Sequence, residues 1–252
     1  MPSVYPGPFR GNNRVVSVNA YHVPLAQASG ASGIPVVTIN TYNEWIVDGV
    51  YFQQYNTTTS TAAMPTMGTV ANNGLNIDTI TGASGKAIEV VMGGNNAASQ
   101  FAYVAGTSPA FFTRCTFNAN TLANVTELYL GFRKVQTFQA TMPTGYTDYA
   151  TIGIHGATGE IELQTQLASG GNVITDTTQS CTAATNYTVQ VNVSAAGIVT
   201  YLLDVLGNGP LIVPTSVAAY TLGANTVVPY FFYKTVTSHT EVDWVNWTTG
   251  LL

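Results

Sequence analysis

Apolar and polar side chains alternate along Glu160-Ile161-Glu162-Leu163-Gln164-Thr165-Gln166-Leu167, with Thr165 the one polar residue on the apolar side. A period of two is the mark of a strand with one face in a core and one face wet. It sets Ile161, Leu163 and Leu167 against the carboxylates and amides. Strand-like segments recur at 86–92, 101–104, 110–117, 125–134, 149–155, 187–193, 198–204, 227–233 and 242–247. In the fourth of these Leu128, Leu130 and Phe132 share a face. Turns such as Ala157-Thr-Gly159 and Ser194-Ala-Ala-Gly197 separate strands at hairpin lengths, and only 118–125 has room for a short helical turn. So many strands with next to no helix predict two packed antiparallel sheets. Earlier in the chain, 36–39 and 44–52 read as strands, 57–74 as a loop and 74–78 as a short strand.

The front of the chain differs. Prolines stand at 2, 6, 8, 24 and 35, and each lacks the amide hydrogen that a ladder requires. Yet Val4, Tyr5, Phe9, Val15, Val16, Tyr21 and Val23 are too apolar for a merely solvated tail. Residues 1–40 are therefore expected to form an extended arm lying on its own domain or on a neighbour, and 41–252 a single β-sandwich. Tyr5, Phe9, Arg10, Arg14, Tyr21 and His22 are the arm's candidate docking residues.

Composition adds a second expectation. Charged residues make up 8% of the chain while apolar content is 46%, so Thr, Asn, Ser, Gln and Gly replace the usual charges. Such a surface repels little and suits close neighbours, such as a dimer or trimer of the same chain. A Thr- and Asn-rich extracellular β-protein has the same composition. A net charge of −5 with seven basic residues argues against nucleic acid. No apolar run approaches the ~20 residues of a membrane-spanning helix, and the first ten residues lack a secretory layout, so synthesis in a cytoplasm is expected. Cys115 and Cys181 lack metal-ligand spacing and read as free thiols, Cys115 as a small buried hydrophobe beside Phe111, Thr113 and Phe117.

Groups able to do chemistry are few. In Glu241-Val-Asp243-Trp244-Val-Asn246, alternate acids face one way, as in a glycosidase strand of the form Glu-x-Asp-x-x-Glu. Asn246 stands in place of the second Glu, and an amide cannot donate the proton that the reaction needs. This stretch reads as a closing strand, and no catalytic residue is assigned. Glu160 and Glu162 read as a solvated strand face, and His22, His155 and His239 are scattered, with His155 a structural residue. Asp148, Asp176 and Asp204 could supply oxygen to calcium, but no Asp-rich loop gathers them, so neither metal nor cofactor is expected. Tyr230-Phe231-Phe232-Tyr233 carries rings on both faces and predicts a central strand between core and cover. Trp45, Trp244 and Trp247 are the aromatic candidates for stacking on a sugar, chiefly Trp45 and Trp247.

A family resemblance rests on Gly106-Thr-Ser-Pro-Ala-Phe-Phe112, Gly131-Phe-Arg-Lys134, Thr175-Asp-Thr-Thr178, Val191-Asn-Val-Ser-Ala-Ala-Gly-Ile-Val-Thr-Tyr201 and Val227-Val-Pro-Tyr-Phe-Phe-Tyr233. Their order and spacing resemble concanavalin A-like (LamG-type) jelly-roll domains in virion structural proteins of tailed bacteriophages. The likeness is strongest over 100–252, fainter over 45–99 and absent from the arm. In such domains Gly often follows directly on the Asp that closes the Tyr201-Leu-Leu-Asp204 strand; here Val205-Leu206 intervenes. The resemblance implies an all-β jelly roll and a non-enzymatic capsid decoration, cement or head-fibre protein. Such a protein would sit on the capsid surface, bound through its arm to the major capsid protein or other virion proteins. A carbohydrate-binding module of a phage tail or fibre is the alternative.

Overall fold

The alternating segments from residue 86 onward all become strands, each antiparallel to its neighbours. The structure is a computed structural model. It describes residues 16–19, 42–47, 50–56, 66–67, 75–78, 87–123, 125–139, 143–168, 170–204, 209–214, 220–235 and 241–252. The arm candidates Tyr5, Phe9, Arg10, Arg14, Tyr21 and His22 lie outside the described residues, as do the strand expected at 36–39, Val205-Leu206 and His239.

In chain order the strands are β1 (Val16–Asn19), β2 (Tyr42–Val47), β3 (Val50–Asn56), β4 (Thr66–Met67), β5 (Leu75–Asp78), β6 (Ala87–Met92), β7 (Tyr103–Val104), β8 (Phe111–Ala119) and β9 (Val125–Lys134). They continue with β10 (Tyr149–His155), β11 (Glu160–Gln166), β12 (Val173–Ser180), β13 (Asn186–Val193), β14 (Ile198–Asp204), β15 (Tyr220–Thr221), β16 (Thr226–Thr235) and β17 (Glu241–Leu251). Eight form one sheet in the order β15-β14-β13-β8-β17-β5-β4, with β1 beside β17. Nine form the second, β12-β11-β10-β9-β16-β6-β3-β2, with β7 beside β16. Among the described residues there is no helix. At 118–125, β8 runs through to Ala119 and a single turn closes from the Val125 amide to the Leu122 carbonyl.

The sheets close over one core. Phe111, Cys115 and Phe117 of β8, Val189 and Val191 of β13, and Trp244 and Trp247 of β17 meet Phe52, Leu128, Leu130, Phe132 and Phe231 of the second sheet. Phe231 stands edge-on to Trp244 with 5.0 Å between ring centres, and Trp244 edge-on to Trp247 at 4.9 Å. Both cysteines are buried and unpaired, as their spacing predicts.

β16 has rings in two places, as its four consecutive aromatics require. Phe231 and Tyr233 enter the core between the sheets, while Tyr230 and Phe232 face outward. There they join Tyr129, Tyr149, Val91 and Val228 in a second apolar layer covered by Phe138 and Tyr146 from the β9–β10 connection. Phe138 stacks on Tyr55 at 4.9 Å. Inside this layer Arg133 donates to Glu89 Oε1 at 2.5 Å, and the Tyr146 hydroxyl donates to Glu89 Oε2 at 2.6 Å. The guanidinium carbon lies 4.4 Å from the centre of the Tyr146 ring.

The outer face of β11 is not the wet face that its alternation suggests. Glu162, Gln164 and Gln166 are buried, and Leu167 is exposed just past the strand end. The segment expected as one strand over 44–52 is the hairpin β2–β3, with Val47 opposite Val50. Asp48-Gly49 between them is a hairpin dipeptide that the strand pattern overshadowed. The loop expected over 57–74 contains β4. β17 is not an edge: it lies between β8 on one side and β5 and β1 on the other. Of the arm, the described piece is β1, which pairs with this chain's own β17, Val16 opposite Thr249 and Asn19 opposite Asn246.

Candidate functional site

Polar side chains gather on the outer face of the second sheet, where the β10–β11 hairpin turns. Register places them. His155 of β10 stands opposite Glu127 of β9 and opposite Glu160 of β11, and Lys234 of β16 stands opposite Glu127. One step along, Gly153 stands between Tyr129 and Glu162, and Glu162 faces Asp176 of the edge strand β12. A Cβ at Gly153 would run into the Leu128 carbonyl oxygen, so only glycine fits. Without a side chain there, the Tyr129 phenol lies across β10 and reaches β11.

A directed chain of hydrogen bonds results. The Tyr149 hydroxyl donates to Asn172 Oδ1 at 2.7 Å, and Asn172 Nδ2 donates to Gln164 Oε1 at 3.5 Å. Gln164 Nε2 donates to the Tyr129 oxygen at 2.5 Å, which leaves the Tyr129 hydrogen for His155 Nδ1 at 3.1 Å. This order assigns the imidazole hydrogen to Nε2, the tautomer that lets Nδ1 accept. His155 is therefore hydrogen-bonded, as the sequence suggests, and at 39% exposure it reaches solvent as well.

The carboxylates are not satisfied in the same way. Glu162 is 9% exposed, and its Oε2 has no hydrogen-bond partner; His155 Nδ1 is 3.7 Å away. Glu127 Oε2 is likewise without one, with Lys234 Nζ at 3.8 Å. Burial raises the pKa of both above the usual carboxylate value. Lys234 draws Glu127 back down, while Glu160 and Asp176 push Glu162 further up; His155 lowers either one only when it is protonated. Burial also pushes the Tyr129 phenol well up, so it stays protonated. Two acceptor oxygens without hydrogen-bond donors thus lie beside a partly exposed imidazole and a half-exposed ammonium, a polar group able to engage a ligand rich in hydroxyl hydrogens.

The candidates named from sequence fall elsewhere. Trp247 is 1% exposed, and its indole N–H donates to Thr113 Oγ1 at 2.8 Å within the core. It cannot stack on a ligand from solvent, and Trp244 is buried beside it. The cause is a bulge at Val245: Trp244 pairs with Phe117 and Asn246 with the next residue, Thr116, so the alternation changes phase and carries Trp247 inward. Trp45 is placed by its backbone on β2 opposite Phe52. Asp243 is buried and Asn246 half-buried, so the Glu241 segment presents no open acid pair at these positions. The three aspartates considered for calcium are held apart. Asp148 accepts from Thr147 and the Ala168 amide, Asp176 from the Thr178 amide and Asp204 from the Gly209 amide. Among the described residues no three His, Cys, Asp or Glu side chains are placed to hold a metal ion.

Sequence reasoning saw the Glu160 and Glu162 pair and His155 separately. It missed Glu127, Tyr129, Gln164, Asn172 and Lys234. The available signal was the polar face of β9, where Glu127, Tyr129 and Arg133 recur at a period of two opposite Leu128, Leu130 and Phe132.

No protein-family model matches this chain, and no curated protein sequence matches it. Solved structures do. The exoplasmic/lumenal domain of VIP36, in its Ca2+/Man3GlcNAc-bound form, is 9% identical over 80% of this chain and 83% of that one, with a TM-score of 0.50. The carbohydrate recognition domain of Emp47p is 11% identical over 96% and 99%, with a TM-score of 0.47. SO2946 of Shewanella oneidensis MR-1, a protein of unknown function, is 11% identical over 90% and 92%, with a TM-score of 0.46. The chain thus has the concanavalin A-like jelly-roll sandwich that the sequence predicts, a lectin-type fold.

Proposed function

We propose that this chain is a non-catalytic glycan-recognition module that holds its ligand at Glu127, His155, Glu162 and Lys234, on the outer face of the second sheet. The observation that carries this reading is the pair of sheltered carboxylate oxygens without hydrogen-bond donors, Glu127 Oε2 and Glu162 Oε2, beside the half-exposed nitrogen groups of His155 and Lys234. Sugar hydroxyls supply the missing donors and accept from Lys234 and from His155 Nε2. The fold is one on which the VIP36 domain carries Man3GlcNAc. Glu127 and Glu162 stand on the two strands that flank β10, and this reading asks of them only that they accept hydrogen bonds from a bound sugar. A glycan array tests the reading. Specific signals should fall by about tenfold or more in Glu127→Gln and Glu162→Gln, each with an unchanged circular dichroism spectrum. Signals unaltered in both variants would remove the site from the proposal.

A second reading, a structural subunit on the surface of a virus particle, is favoured by the scarcity of charge and by exposed aliphatic residues. Val173 and Ile174 lie on the edge strand β12, and Ile198, Ile212 and Val213 lie on or beside β14. In that reading the arm docks on the major capsid protein, and copies associate as a dimer or trimer. Deleting residues 2–14 keeps β1 and tests it: the truncated protein should remain folded yet fail to occupy tailed-phage capsids. Undiminished capsid occupancy would exclude a role for Tyr5, Phe9, Arg10 and Arg14.

A further inference from the structure

Two groups compete for Nδ1 of His155. The Tyr129 hydroxyl lies 3.1 Å from it and Glu162 Oε2 lies 3.7 Å from it. They ask for opposite things. A phenol that donates needs Nδ1 bare, which puts the ring hydrogen on Nε2. A carboxylate needs the hydrogen on Nδ1, which leaves Nε2 bare. The free nitrogen of the imidazole is a donor in the first case and an acceptor in the second. Gln164 settles the contest. It is 2% exposed, and its Nε2 donates to the Tyr129 oxygen at 2.5 Å, so the phenol's own hydrogen is left for His155. Asn172 Nδ2 donates to Gln164 Oε1 at 3.5 Å, which keeps the amide nitrogen turned toward Tyr129. The far end of the chain favours the same direction. The Tyr149 hydroxyl donates to Asn172 Oδ1 at 2.7 Å, and a reversed chain would take that acceptor away from a buried phenol. Burial keeps Tyr129 protonated, and Gly153 lets its ring cross β10.

We propose that Tyr129, held by Gln164, is the positioning residue of the glycan site: it fixes His155 as an Nε2–H donor against the pull of Glu162, so the sugar atom that meets His155 is an acceptor oxygen. The proposal rests on the glycan-recognition reading and names what orients its imidazole. Tyr129 is fully buried and does not touch the sugar; it acts through His155, which is 39% exposed. A donor presented to the ligand selects a ring, glycosidic or hydroxyl oxygen and refuses an amine hydrogen at the same place. Take the Tyr129 hydroxyl away and Glu162 is left with Nδ1, so the ring hydrogen moves inward and the outward nitrogen becomes an acceptor.

Long-range proton–nitrogen correlation spectra of the full chain, labelled with nitrogen-15 histidine in mildly alkaline buffer, read the tautomer directly. His155→Asn identifies its signals among those of the three histidines. The parent should show His155 in the Nε2–H form. Tyr129→Phe should shift it toward the Nδ1–H form. Gln164→Glu offers an oxygen where the amide nitrogen stood, should turn the Tyr129 hydrogen toward itself, and should cause the same shift. An Nδ1–H or mixed form in the parent would overturn the proposal without any variant, and so would an unchanged Nε2–H form in a folded Tyr129→Phe. The glycan array reads the consequence: signals that depend on Glu162 should fall by about tenfold in Tyr129→Phe. Undiminished signals with a shifted tautomer would overturn the role of Tyr129 in recognition and leave glycan binding standing. A parent locked in the Nε2–H form that binds no glycan would overturn the glycan reading, and with it the role of the lock in recognition.

Discussion

Glu162 and Glu127 hold their charges where the fold gives them little help. Their pKa values are raised by burial, so the native state binds their protons more tightly than the unfolded chain does. Between the unfolded and the folded pKa, the native protein therefore carries more protons than the unfolded one, and stability falls as pH rises through that window. Above it the full penalty is present; below the unfolded value it vanishes. Glu162→Gln keeps the shape and removes the charge. It should raise the melting temperature at neutral pH, with the advantage shrinking as the pH is lowered through the carboxylate range. Thermal scans of both proteins at several pH values check this, and a variant less stable than the parent at neutral pH would contradict it. A stabilising substitution that abolishes ligand binding is the signature of a site kept for function. Trp247 behaves oppositely. Trp247→Phe removes the bond to Thr113 and some core volume, and should cost about 1–3 kcal/mol in denaturant unfolding. Ligand affinity should not change, since the ring is sealed between the sheets.

Strands were legible wherever one face is apolar over its whole length. β10 and β14 begin and end at the residues where the alternation does, because Ala150, Ile152 and Ile154, or Val199, Tyr201 and Leu203, must all reach the core. β12 escaped because Thr175, Asp176, Thr177, Thr178 and Gln179 have no apolar face: it is an edge strand, mostly exposed, with a register shift opposite Ile161 and Glu162. The site escaped for a related reason. Glu127, His155, Glu162 and Lys234 come from four strands, and only the order β11-β10-β9-β16 makes them neighbours. Register between distant strands is not written in local periodicity. The outer layer on β16 was foreseeable from its four aromatics, but its ion pair was not. Arg133 and Glu89 are both fully buried, so losing one partner strands the other. Arg133→Met alone should cost about 3–5 kcal/mol, and adding Glu89→Leu should recover much of it. Urea unfolding of the single and paired variants measures the coupling, and additive losses would show that the pair does not act as a unit.

The two strands that hold the molecule together come late in the sequence. β16 joins β9 to β6 and β7, and β17 joins β8 to β5 and β1. Residues 226–251 therefore supply the middle of both sheets. Remove them and each sheet falls into two parts with raw edges. A chain ending at Asn225 should be insoluble or aggregate on refolding, whereas simple loss of an edge strand would leave a soluble domain. Sedimentation of the expressed fragment decides between these outcomes. During synthesis the same gap exists for a time. About 90 residues separate β9 from its partner β16, which at the ribosome's pace is roughly 5–20 s. Throughout that interval β8 and β9 wait with sticky, unmatched backbones, and any neighbour making the same protein offers the missing piece. A cell that produces many copies at once thus risks exchanging final strands between molecules, and a chaperone that shields β8 and β9 until the tail arrives would raise the yield of correctly closed protein.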